Sequence, residues 1–217
     1  MLIKRVLPPA ACAAEFAGDR GSLTSVAEES VLQGCSYQRI LEFRAARRCA
    51  HLALGYLGFA ECAIPRGERR EPVWPTGVVG SITHCRGYCA AAVGRAEEFA
   101  AIGIDAELHA PLEAGVSRII MSEEEARAAG PANGQDTHIE CVVFSAKEAV
   151  YKTWYPLMRC WLGFEDVFME VDVESEVFTA HLLRGPLRVG SSEHTRLEGR
   201  FVVGEAHVVC AVAIPLR

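Results

Sequence analysis

No stretch of this 217-residue chain approaches the roughly 20 uninterrupted apolar residues of a membrane span; the most apolar segment, Val202 to Leu216, is broken by Gly204, Glu205 and His207. A spanning role is excluded. A secretory leader is not expected either, because only Val6 and Leu7 separate Lys4-Arg5 from the Pro8-Pro9 pair, so the N-terminus reads as mature protein. There is no CxxC pair, and nine cysteines, an odd number, are scattered through a core-rich chain. That argues against a disulfide scaffold and makes the cytoplasm the natural compartment. His84, Cys85 and Cys89 lie close together but lack a second ligand pair at zinc spacing, and read as half-buried strand residues. Positive charge is in deficit, with 22 Lys and Arg against 28 Asp and Glu, net −6. General nucleic-acid binding is therefore not expected, and any anionic ligand must be held by local basic residues. Internal repeats and low-complexity tracts are also missing.

Half the residues are hydrophobic, enough for one large or two small domains. From Glu28 to Leu57, apolar positions at helical spacing predict one or two amphipathic helices. The segment PRGERREPVWPTG (65–77) is a loop with basic side chains available to a ligand. Val78 to Val93, a turn at Gly94 to Glu98 and the run Phe99 to Ile104 together suggest a β-hairpin. Ser122 and Glu125 form a capping-box pattern that starts a short helix. After a loop at GPANGQDT (130–137), Val142, Val143, Ala146, Ala149, Val150 and Thr153 give a buried helical stripe from His138 to Tyr155, ending before Pro156. From Gly163 to Ile214, alternation predicts a meander of antiparallel strands.

Three segments carry chemistry. On a strand, IGIDAE places Asp105 and Glu107 on one face, where two hard oxygen ligands suit Mg²⁺; a solvated strand end has the same pattern. In FSAKEAVYK, Glu148 and Lys152 share one helix face, as an active-site pair or as a surface ion pair. In GSITHCRG, the hydroxyls of Ser81 and Thr83 and the imidazole of His84 are able to bind a phosphate, although a strand entering a turn at Arg86-Gly87 reads the same way.

Found together and in this order, GSITH, GIDAE and FSAKEAVYK resemble the signature segments of the phosphopantetheinyl transferases of the large, two-subdomain Sfp/EntD type. The likeness extends to LEFRAARRCAHLAL, GERREPVWP and YPLMRCWLGFED, leaving only about the first 25 residues uncovered. The resemblance implies an α+β fold of two similar α/β subdomains with pseudo-twofold symmetry, each a small antiparallel sheet packed on a long helix, with the site in the cleft between them. The expected subdomains are residues 1–102, with the basic helix and GSITH, and 103–217, with the carboxylates; a monomer is expected.

The resemblance further implies that Asp105, Glu107 and Glu148 hold Mg²⁺, or Mn²⁺, and that Glu148 is also the general base. Lys152 faces the pyrophosphate of coenzyme A. Arg39, Arg47 and His84 grip its 3′-phosphate and adenosine end, Arg66 stands where a lysine is common, and Ser81 and Thr83 add hydrogen bonds to the phosphates. The implied reaction moves phosphopantetheine from coenzyme A to a serine of an acyl or peptidyl carrier protein and releases 3′,5′-ADP. It would serve polyketide, nonribosomal peptide or fatty acid synthesis. Two rivals remain at this point: a Mg²⁺-dependent pyrophosphohydrolase acting on coenzyme A or a nucleotide, which would release 3′,5′-ADP without a carrier, and a non-catalytic coenzyme A or carrier-binding module, which would bind without turnover.

Overall fold

The computed structural model describes residues 1–17, 26–29, 32–113, 115–129 and 138–216. The first half runs α1 (Ile3–Val6), β1 (Cys12–Ala17), α2 (Val26–Glu29), α3 (Tyr37–Tyr56), β2 (Val78–Cys85) and β3 (Tyr88–Arg95). Its strands form a sheet of order β1-β3-β2. The second half runs β4 (Phe99–Leu108), α4 (Val116–Ile120), α5 (Glu123–Ala129), α6 (Ile139–Met158), β5 (Val167–Asp172), β6 (Val177–Leu182), β7 (Leu187–Val189), β8 (Ser192–His194), β9 (Arg196–Val203) and β10 (His207–Pro215). Here the sheet order is β4-β10-β9-β6-β5, with β7-β8 a separate ribbon. The pairings are antiparallel, so the fold is α+β as the resemblance implies.

Each sheet carries one 20-residue helix. Helix α3 starts where the Ser36 hydroxyl accepts the Arg39 N–H at 3.3 Å. It buries Ala45, Ala46, Cys49, Ala50 and Ala53 against Ala14, Ala91 and Val93, small side chains that let helix and sheet approach closely. Helix α6 buries Val142, Val143, Ala146, Ala149, Val150 and Trp154 with residues of β5, β6, β9 and β10. A third core joins the halves: Ile3 and Val6 of α1 meet Tyr88, Ala90 and Ala92 of β3, Ile102, Ile104 and Ala106 of β4, and Val209 and Ala211 of β10. Strands β2 and β4 lie beside each other at this junction.

The capping box is present: Ser122 N–H donates to the Glu125 carboxylate at 2.7 Å and Glu125 N–H to the Ser122 hydroxyl at 3.1 Å. Three expectations change. The hairpin turns at Arg86-Gly87, pairing Val78–Cys85 with Tyr88–Arg95, while Phe99–Leu108 pairs with β10. Strand β3 is buried along both faces up to Gly94, so alternation gave no register through this run. Helix α6 runs through Pro156 to Met158 and ends at Arg159, which adopts the left-handed conformation (φ 53°). Pro156 removes one intrahelical N–H and crowds the Lys152 carbonyl one turn back, and the helix ends three residues later. The C-terminal meander is interrupted by the β7-β8 ribbon between β6 and β9. The GPANGQDT loop lies outside the described residues, and position 102/103 falls inside β4.

Candidate active site

Alternation on β4 turns Gly103, Asp105 and Glu107 toward α6, while Ile102, Ile104 and Ala106 enter the central core. Gly103 makes the close approach possible: a Cβ there would lie 2.1 Å from the Ala149 carbonyl and 2.2 Å from the Thr153 hydroxyl. Because α6 sits this close, the Lys152 ammonium donates to Asp105 Oδ1 at 2.7 Å. The Thr83 hydroxyl, from β2, donates to the same oxygen at 3.1 Å. Among the described residues, Asp105 Oδ2 is buried and has no hydrogen-bond partner.

Glu107 and Glu148 join this carboxylate electrostatically. Burial, then the charges of Asp105 and Glu148, push Glu107 up to about 7, with Lys152 opposing. Burial and Asp105 also raise Glu148, again opposed by Lys152. Three crowded carboxylates, a bare buried oxygen and a single opposing lysine constitute a donor set lacking positive charge, which fits a hard divalent cation. Among the described residues, no group of three or more His, Cys, Asp or Glu side chains is drawn together as a metal cage.

A basic cluster stands at the other end. His84 Nε2 lies 2.5 Å from Arg39 Nη1; a guanidinium has only donors, so Nε2 accepts and the imidazole is neutral. Burial and the Arg39 charge hold the His84 pKa below its ordinary value. Glu42 lies 3.5 Å from Arg39 and 3.9 Å from His84. Arg47 is buried with its guanidinium 5.0 Å from the Phe43 ring centre, and its Nη1 has no partner among the described residues. Burial lowers the Arg47 pKa and Arg66 lowers it further, while Glu28 raises it. Arg66 is itself lowered by burial and then by Arg70 and Arg39. Cations packed against one another with an unpaired buried N–H mark a place for an anion.

A cavity of about 420 Å³ opens beside Glu148 and Lys152, walled by Trp74, Ser81, Ile102 and Tyr151. Glu71 and Arg159 also line it and pair at 3.1 Å, joining the 65–77 loop to the end of α6. The structure thus ties Lys152 and Thr83 to Asp105 by hydrogen bonds, leaves Glu107 and Glu148 within reach of its charge without closing a cage, and sets Arg39, Arg47, Arg66 and His84 in the basic cluster. Ser81 faces the cavity.

Two family models match the chain: the 4′-phosphopantetheinyl transferase N-terminal domain over residues 27–94 and the 4′-phosphopantetheinyl transferase superfamily over residues 101–212. The chain belongs to the 4′-phosphopantetheinyl transferase superfamily. It is 44% identical over 180 residues to the 4′-phosphopantetheinyl transferase Svp of Streptomyces mobaraensis, covering 82% of this chain and 73% of the relative. It is 37% identical to Npt of Nocardia iowensis over 98% of this chain and 99% of the relative. With PptT of Mycobacterium tuberculosis it shares 38% identity over 93% of this chain and 91% of the relative. Both of these are also named 4′-phosphopantetheinyl transferases. The family uses coenzyme A as its donor.

In this phosphopantetheinyl transferase, sequence reasoning missed Glu42, Phe43 and the Glu71–Arg159 pair. Glu42 and Phe43 were visible only as spacing on the basic helix, and Glu71 with Arg159 is a contact across 88 positions that leaves no local signal. It also passed over Lys147, beside Glu148. Its ammonium is buried and donates to the Ile120 carbonyl at 2.8 Å, the Phe164 carbonyl at 3.0 Å and the Glu125 carboxylate.

Proposed function

We propose that the chain transfers the 4′-phosphopantetheine arm of coenzyme A to a serine hydroxyl of an acyl or peptidyl carrier protein and releases 3′,5′-ADP. The observation that carries this reading is the carboxylates Asp105, Glu107 and Glu148, with one buried oxygen lacking a partner among the described residues, beside Lys152 and in one chain with an arginine cluster in which Arg47 Nη1 is likewise without a partner among them. Arg39, Arg47, Arg66 and His84 hold the 3′-phosphate and adenosine end. The pantetheine arm lies in the cavity past Ser81, and Lys152 contacts the pyrophosphate. Asp105, Glu107 and Glu148 would hold Mg²⁺, or Mn²⁺, which when bound supplies charge neutralisation at the phosphates. Glu148, with its raised proton affinity, accepts the serine proton directly or through water as the hydroxyl attacks phosphorus. Both ends of the site lie in one chain, the cations in 1–102 and the carboxylates in 103–217, so a monomer is the working unit. No described helix is long and apolar enough to cross a membrane, and cytoplasmic carrier proteins are the natural partners.

The test is the intact mass of an apo carrier protein after incubation with the chain, coenzyme A and Mg²⁺. A gain of one phosphopantetheine, lost with a chelator and with Glu148→Gln, is expected. No gain with several carriers while coenzyme A still binds would refute the reading.

A further inference from the structure

The Asp105 carboxylate is held unequally. Its Oδ1 accepts from Lys152 at 2.7 Å and from Thr83 at 3.1 Å, while its Oδ2, also buried, accepts from none of the described residues. Thr83 belongs to the other sheet and reaches Asp105 because β2 and β4 meet edge to edge. Its hydroxyl also accepts the Ala106 N–H at 3.1 Å, where a strand ladder would have offered a carbonyl. Thr83 is 3% exposed. A hydroxyl has one proton, and that of Thr83 is given to Asp105, so none is left for a phosphate oxygen.

We infer that Thr83 is a positioning residue for Asp105, locking the carboxylate so that one oxygen is spent on the protein and the other is kept bare for the divalent cation. This rests on the reading of the site as cation-dependent. The two bonds of Thr83, one from the backbone of β4 and one to a side chain of β4, fix the carboxylate plane relative to the strand that carries it. The β-branched side chain has fewer accessible rotamers than serine, so the hydroxyl is delivered in one direction. Lys152, on a flexible stem, holds the same oxygen but does not fix its orientation.

The experiment measures Mn²⁺ binding to the full chain with coenzyme A present, by the paramagnetic resonance of free Mn²⁺, and coenzyme A binding in chelator by calorimetry. Thr83→Val and Thr83→Ala are expected to weaken Mn²⁺ binding by about 10- to 100-fold, the usual loss when a partner of a metal ligand is removed. Coenzyme A affinity in chelator should not change, and Thr83→Ser should restore most of the Mn²⁺ affinity. Thermal melts check folding; if Thr83→Val does not fold, Thr83→Ala, which removes bulk as well as the hydroxyl, decides. Wild-type Mn²⁺ affinity in a folded variant lacking the hydroxyl overturns the inference, and so does a loss confined to coenzyme A binding in chelator, which would make Thr83 a phosphate ligand. If the wild-type chain binds coenzyme A but no Mn²⁺, the cation reading itself fails and the inference falls with it.

Discussion

Gly103→Ala tests whether the approach of α6 to β4 builds the site. The added methyl would meet the Ala149 carbonyl at 2.1 Å and the Thr153 hydroxyl at 2.2 Å. Restoring ordinary contact requires α6 to withdraw by roughly 1 Å or more. Overpacking of this kind costs about 1–3 kcal/mol of stability, since the backbone of a buried helix must move. The functional loss should be larger. Withdrawal stretches the 2.7 Å bond between Lys152 and Asp105 and shifts Glu148 with it, and a displacement of about 1 Å in a catalytic group is able to lower turnover by about 100-fold. Transfer rates at saturating coenzyme A and carrier, beside urea denaturation, separate the two effects. Thr153→Ala in the same chain should not rescue the rate, because the Ala149 carbonyl is backbone and stays in the way. Wild-type turnover in a folded Gly103→Ala chain would refute the reasoning.

If Arg47 grips the 3′-phosphate as proposed, Arg47→Ala removes a contact made equally in ground and transition states, so the KM for coenzyme A should rise by about 10- to 100-fold with kcat little changed, measured by steady-state kinetics. Lys147→Met leaves the Glu125 carboxylate buried without its 2.8 Å partner; unfolding in urea should show a loss of about 3–5 kcal/mol, and the double change with Glu125→Gln should recover part of it. In metal-free protein, Glu107 binds its proton more tightly folded, near pH 7, than unfolded, so its contribution to stability is present below the unfolded pKa and is lost as pH rises toward 7. Mg²⁺ should therefore raise the melting temperature more at pH 8 than at pH 5, and equal shifts at both would contradict this.

Much of the local structure was legible in the sequence. The capping box at Ser122 and Glu125 is a contact between residues three apart, and the buried stripe of α6 is a period within one element. Alternation likewise placed Asp105 and Glu107 on one face. The hairpin was misjudged because β3 is buried on both faces, which erases the period that would mark where one strand ends and the next begins.

By itself, then, the sequence determined which residues share a helix face or strand face, the ordered motifs, and through them the family, because each depends on spacing along the chain. Tertiary structure alone decided which face meets which. Lys147 and Glu148 are adjacent in sequence, yet about 100° apart on the helix, so one is buried against Glu125 while the other joins the carboxylates. The Thr83 hydroxyl, read from sequence as a phosphate donor, gives its proton to Asp105 because two sheet edges happen to meet there. Such contacts join residues 22 positions apart or more and are set by how closely helix and sheets pack, a quantity no local pattern encodes.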